Sequence, residues 1–203
     1  MTKAGSINYT ACVDWLQGCG SNVYTQFGED GLIEACLRHV GETNRHCFEI
    51  GAADGRFFSN TLRLRELGWQ SVLIESDAIL FDKLNRDYGS DAVCIHAHCD
   101  DLDSVLSQTE ISYTPDLGVI DIDGQDYWLW DNLITYRPRV MLVEISTRGE
   151  WEGIPAIGEP YPAQAGLRAI EDLGKRKGYS LVATTYCNAL FIDSNELKKA
   201  ESV

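Results

Sequence analysis

The stretch FEIGAADGRFFSN, residues 48–60, begins as an apolar strand and then gives up its side chains at Gly51, Ala52, Ala53, Asp54 and Gly55. Glycine lets a backbone approach another group closely, and a helix starting just after such a turn attracts partial negative charge. Glu75 closes the next apolar run about 20 residues on, where a carboxylate can accept from both hydroxyls of a ribose. A plain strand-to-helix turn explains one glycine, and a solvated strand end explains Glu75. Together the two features read as a nucleoside site. The turn departs from GxGxxG by carrying Asp54, an acid that repels a pyrophosphate and suits an ammonium or a sulfonium.

A nucleoside with two cationic centres and no phosphate matches that charge, which selects S-adenosylmethionine over NAD. Further acids follow in DIDGQDYWLW (121–130). Asp121 ends an apolar run, Asp123 comes two residues later, Asp126 opens a helix, and Glu144 closes the next apolar run. Acids so placed can orient a methyl donor, take a proton from an acceptor, or hold Mg²⁺ or Ca²⁺. Asp121 and Asp123 are the catalytic candidates. Asp121, Asp123 and Glu144 form the alternative metal set, which is not favoured because no histidine joins it. A helix cap at Asp126 and a turn at Asp123-Gly124 compete for those two residues. Tyr127, Trp128 and Trp130 read as packing rather than as a substrate stack.

The elements that must hold these residues alternate. CFEIG (47–51), SVLIE (71–75), AVCIHA (92–97), LGVIDI (117–122) and VMLVEI (140–145) are short apolar runs suited to parallel strands covered on both faces. Helical stretches separate them at 59–67, 78–88, 101–108 and 126–136, and another follows at 163–178. YSLVATTY and NALFID, joined tightly near Cys187 and Asn188, read as a closing hairpin. The alternation predicts an open, doubly wound α/β sheet. Residues 1–44 read as a helical extension of one 203-residue domain, with pieces at VDWLQGC and GEDGLIEACLRHV. The Gly- and Pro-rich segment 146–166 reads as a substrate loop or lid.

A net charge of −14 argues against non-specific binding to nucleic acid. No apolar run reaches the roughly 18 residues of a membrane span. The opening MTKAGSINYT is too polar for a secretory signal, so the cytoplasm is the expected location. Seven cysteines without a CxxC pair suit reduced thiols better than a zinc site. The expected partner is a small-molecule acceptor, with neither nucleic acid nor membrane involved and a homodimer left open.

QFGEDG (26–31), FEIGAADGRFFSNT (48–61), LGWQSVLIESD (67–77), DIDGQDYWLW and PRVMLVEIS (138–146) together resemble class I S-adenosylmethionine-dependent methyltransferases, and more narrowly the FkbM-type family. The resemblance spans about residues 26–146 and departs after Ile145-Ser146-Thr147. It implies a Rossmann-like, mostly parallel seven-stranded sheet with a C-terminal antiparallel hairpin strand. It also implies O-methylation of a sugar or natural-product hydroxyl, with N-methylation open and a catalytically silent binding module as the alternative. The methionine moiety would lie along Glu49, Gly51, Ala52, Asp54 and Gly55, with Gln26 and Asp30 reaching its carboxylate side. Ser59 and Asn60 would line the same site, although helix capping explains them equally well. Glu75 and Ser76 would hold the ribose. His98, Cys99 and Asp100 would face the adenine, with Asp100 accepting from its amino group.

Overall fold

The structure, a computed structural model, describes residues 9–97, 101–149, 152–159 and 163–202. Five apolar runs become parallel strands: β2 (His46–Ile50), β3 (Gln70–Glu75), β4 (Val93–His96), β5 (Leu117–Ile120) and β6 (Val140–Glu144). Beyond β6 lie β8 (Asn188–Asp193), β7 (Tyr179–Thr184) and β1 (Thr10–Ala11), each antiparallel to its neighbour. The order across the sheet is β1-β7-β8-β6-β5-β2-β3-β4. It is therefore an eight-stranded sheet rather than seven, because Thr10 and Ala11 pair with Thr184 and Ala183 at one edge. Two residues at an edge carry no periodicity to detect.

Alternation along the strands sorts the core into two layers. On one face Phe48, Ile50, Met141, Val143 and Phe191 pack with Trp130 and Leu173. Those last two come from α5 (Asp126–Asn132) and α6 (Leu167–Arg176). On the other, Cys47, Val119, Leu142 and Leu190 pack with Leu32, Ile33 and Leu197. These come from α1 (Glu29–Val40) and α7 (Ser194–Ala200). Both faces are covered, which is why the strands read as continuous apolar runs. Among the described residues no helix is long and apolar enough to cross a membrane.

Three helices, α2 (Leu62–Glu66), α3 (Ala78–Tyr88) and α4 (Leu102–Leu106), complete the set. Asp77 caps α3 through the amides of Ile79 and Leu80, and the helix fills its expected 78–88 span. Elsewhere side chains cut helices short. Ser59 to Thr61 turn towards Glu49, so α2 starts late. Asp103 takes the amides of Ile134, Thr135 and Tyr136, which keeps α5 from running on to 136. VDWLQGC makes only a 3₁₀ turn, Asp14–Leu16.

The end of the sheet where the parallel strands begin is tied by one buried acid. Asp116, fully buried, accepts from the amides of Thr43, Asn44 and Arg45, the Thr43 hydroxyl and the Arg139 guanidinium. Arg139 in turn reaches Glu196 of α7 and the last carbonyls around α1. Burial alone would raise the Asp116 carboxyl; the donors from Thr43, Arg45 and Arg139 outweigh it and hold it below the usual range. The sign follows: its stabilisation is present above the unfolded value near pH ~3.9 and is lost as pH falls through the folded one. Asp116→Ala leaves three amides without their acceptor and takes one of two carboxylates from the buried Arg139 guanidinium, so urea denaturation at neutral pH should show a loss of about 3–5 kcal/mol. A loss well under about 1 kcal/mol would mean the network is ornamental.

Candidate active site

The carboxyl ends of β2 and β5 lie in register, Ile50 opposite Ile120, and the turns that follow them touch. Gly51 has φ +82°, and a Cβ there would sit 1.8 Å from the carbonyl oxygen of Asp121. The glycine is therefore demanded by the protein's own backbone, not only by a ligand. A Cβ at Gly55 would meet Leu84 and the Tyr88 ring of α3, so that glycine serves packing.

Two strand-end glutamates fix these turns. Glu75 at the end of β3 accepts the amide of Ala53 at 2.7 Å and those of Ser76 and Asp77 at 2.8 Å. Glu144 at the end of β6 accepts the amide of Asp123 at 2.7 Å. Ala53 and Asp123 are both left-handed, with φ of 48° and 61°. Such backbone costs about 1–3 kcal/mol and needs outside support. Each carboxylate supplies it by holding an amide that points out of its own turn.

Glu49 organises the next layer. Its carboxylate accepts from the Ser59 and Thr61 hydroxyls and the Asn60 amide, at 2.5–2.7 Å. Asn60 is thereby set to donate its side-chain amide to Asp121 Oδ2 at 3.2 Å. Asp54 goes elsewhere. It caps the amides of Arg56 and Phe57 and pairs with Lys83; burial would raise its carboxyl, but these donors hold it down at about 2. Asp30 likewise turns inward, accepting from the amides of Val23, Tyr24 and Thr25. Neither acid lines the cleft, nor does Gly55.

The cleft crosses the sheet edge as two adjoining cavities that share Gly51, Ala53, Asp121 and Asp123. The one towards β3 and β4 is about 390 Å³, with Glu75, Ser76, Ile122 and Gln125 in its walls. The other, towards β6 and β8, is about 240 Å³. Of the residues expected from the sequence, Gln26, Glu49, Ala52, Ser59, Asn60 and Glu144 line it. Glu29, Phe57, Phe58, Cys187 and Asn188 join them without having been expected. His98, Cys99 and Asp100 lie outside the described residues. Phe57 and Phe58 are exposed, their rings 3.9 Å apart at centroid. Their place inside the glycine-turn motif was the available signal for them. Glu29 and Asn188 come from opposite ends of the chain and carry no local signal.

The described part of the loop after β6 docks beside this cleft. Trp128 donates to the carbonyl of Pro155, while the Gln125 amide binds the carbonyls of Ala156 and Glu159 and the amide of Gly158. Among the described residues no group of three or more His, Cys, Asp or Glu is arranged to hold a metal ion. The carboxylates compete for charge instead. Burial, then Asp126, Glu49 and Asp123, push Asp121 up, and burial with Asp121 and Asp126 does the same to Glu144. Asp126 has one oxygen on the amide of Ile122 and the other on that of Gly124, and Glu144 has one on Asp123. Asp121 has only Asn60, and protonation is shared across the cluster.

No family model matches the chain, and no curated protein does. Solved structures match its fold. A S-adenosylmethionine-dependent methyltransferase from Clostridium acetobutylicum is 10% identical, with 81% of this chain and 89% of that one covered and a TM-score of 0.53. An O-methyltransferase from Bacillus cereus, in complex with S-adenosylhomocysteine, is 14% identical over 87% and 85%, with a TM-score of 0.52. A precorrin-6y C5,15-methyltransferase from Geobacter metallireducens is 10% identical over 85% and 92%, with a TM-score of 0.51. At such identities the likeness is one of fold. The chain has the Rossmann-like α/β fold of class I methyltransferases.

The raised Asp121 carboxyl sets a test. A carboxyl raised in the folded state keeps a proton that the unfolded chain has released above about pH 4, so folding loses stability as pH rises from there. Asp121→Asn removes that penalty. Its thermal midpoint should exceed the parent's by a few degrees at about pH 8, since 1 kcal/mol shifts a chain of this size by about 2–4 °C, and the gain should vanish near pH 4. A midpoint lowered at both pH values would show Asp121 to be an ordinary stabilising group.

Proposed function

We propose that this chain is an S-adenosylmethionine-dependent methyltransferase of the FkbM type, acting in the cytoplasm on a hydroxyl of a small molecule such as a sugar or natural-product intermediate. One observation carries the reading: both cavities at the sheet edge are lined by carboxylates, and no Lys, Arg or His occurs among their described lining residues. A phosphate-bearing cofactor finds no counter-charge there. An ammonium and a sulfonium do. The Bacillus cereus neighbour in complex with S-adenosylhomocysteine lends support to the cofactor half.

The residues divide the work along the sheet. Glu75 spends three acceptor sites on Ala53, Ser76 and Asp77, and a carboxylate offers about four, so one remains for a ribose hydroxyl. When bound, S-adenosylmethionine supplies an electrophilic methyl carbon. Asn60 holds Asp121 beside the centre of the cleft, where its carboxyl orients the donor. Asp123 is exposed and makes no side-chain hydrogen bond among the described residues, which leaves it free to take the acceptor's proton. Phe57 and Phe58 put apolar rings into the lining of the cleft beside these groups. Alignment of donor and nucleophile carries most of such a displacement, so rigid turns matter more than a strong base.

Thermal-shift titrations test the cofactor. S-adenosylhomocysteine at 100 times its Kd should stabilise the protein by about 2.7 kcal/mol, while NAD should leave it unmoved. Glu75→Ala should weaken S-adenosylhomocysteine binding and also cost stability, because three amides lose their partner. Stabilisation by NAD in place of S-adenosylhomocysteine would remove the reading.

A further inference from the structure

The cavity towards β6 and β8 is lined chiefly by carboxylates, with the Gln26 amide among them. Five carboxylates line it: Glu29, Glu49, Asp121, Asp123 and Glu144. Glu49 is spent on residues 59–61, and Glu29 accepts from the Phe27 amide, the Thr185 hydroxyl and the Asn188 amide. Asp121 and Asp123 keep free lone pairs.

A second observation is independent of the acids. Asn188, 3% exposed, lines the same cavity. Its Nδ2 faces Glu29 Oε1 and Cys187 Sγ, both at 3.3 Å, which fixes the amide's orientation because a carboxylate oxygen only accepts. Its Oδ1 is buried with no partner. A buried acceptor left unpaired is destabilising and calls for a donor to reach it. Asn188 stands opposite Glu144 across the β6–β8 pair, so the orphan acceptor and the carboxylates belong to one end of the cleft.

Charge then narrows the class. S-adenosylmethionine brings an ammonium, a sulfonium and a carboxylate, one net positive charge. Burial and mutual repulsion, screened less in a partly enclosed cavity than in bulk water, push Asp121 and Glu144 up. A neutral polyol leaves that repulsion in place and an anion adds to it, whereas a second cation lets the acids ionise around it. We propose that the methyl acceptor is a hydroxyl compound that also carries a protonated amine and no anionic group. Its ammonium is seated at the β6–β8 end, on Glu144 and the Asn188 carbonyl, while the hydroxyl faces Asp121 and Asp123. This rests on the methyltransferase reading of the same cleft and adds the substrate class to it.

Calorimetry on the full chain tests the two separately. S-adenosylhomocysteine is titrated first; if it does not bind, the methyltransferase reading falls and this inference falls with it. The loaded protein is then titrated near neutral pH with glucosamine, glucose and glucuronate, one ring carrying a cation, no charge or an anion. Glucosamine should bind at least about tenfold more tightly than glucose, the ratio that about 1.4 kcal/mol supplies, and glucuronate should give no binding heat. Glu144→Gln, which keeps the size of the side chain that seats the ammonium, should shrink the glucosamine preference, with circular dichroism checking that the chain stays folded. Equal binding of glucosamine and glucose, binding of glucuronate, or no glucosamine heat at about 10 mM, a concentration that saturates a millimolar site, would overturn the amine assignment while leaving the cofactor intact.

Discussion

A strand-end carboxylate that accepts the amide of a left-handed residue in the neighbouring turn is the interaction on which this molecule's cleft depends. It occurs twice, Glu75 to Ala53 and Glu144 to Asp123. In each case the acid ends one parallel strand and the turn belongs to the strand beside it. Sheet register thus becomes turn geometry: if β3 shifts against β2, Glu75 leaves Ala53, and the glycine turn loses its support. The same holds for β6 against β5.

The arrangement concentrates acids. Glu49, Asp121, Asp123, Asp126 and Glu144 crowd one edge of the sheet, and their mutual repulsion is only partly offset by backbone amides. Such crowding opposes folding, and a stability-driven design would dilute it. A cleft meant for cations has reason to keep it, because bound positive charge relieves the strain that the empty site carries. The electrostatic cost of the unliganded protein and its affinity for a cationic ligand are two views of the same charges.

Much of the fold was legible. The five apolar runs became parallel strands, and 78–88 became α3 within its expected limits, since Asp77 signals its start. What could not be read was the direction in which acids point. Asp54 sits in the glycine turn and looked ligand-facing, yet a lysine 29 residues away claims it. Gly51 looked like an opening for a ligand, and the group that comes close is the carbonyl of Asp121. Glu29 and Asn188 were missed because they meet only through the crossover that inserts β8 beside β6. Pairings of this kind are properties of topology and not of local pattern.

The Asp116–Arg139–Glu196 network binds the chain at the sheet edge opposite the cleft. Part of the fold's structural security is therefore drawn from residues that line neither cavity of the cleft. Sequence drift at the β6–β8 end, around Cys187 and Asn188 or in the loop that leans on Gln125, leaves that anchor untouched. A scaffold divided in this way is evolvable: lineages can exchange one acceptor molecule for another by altering the hairpin and loop, while the far side supplies the mutational robustness that such experiments consume.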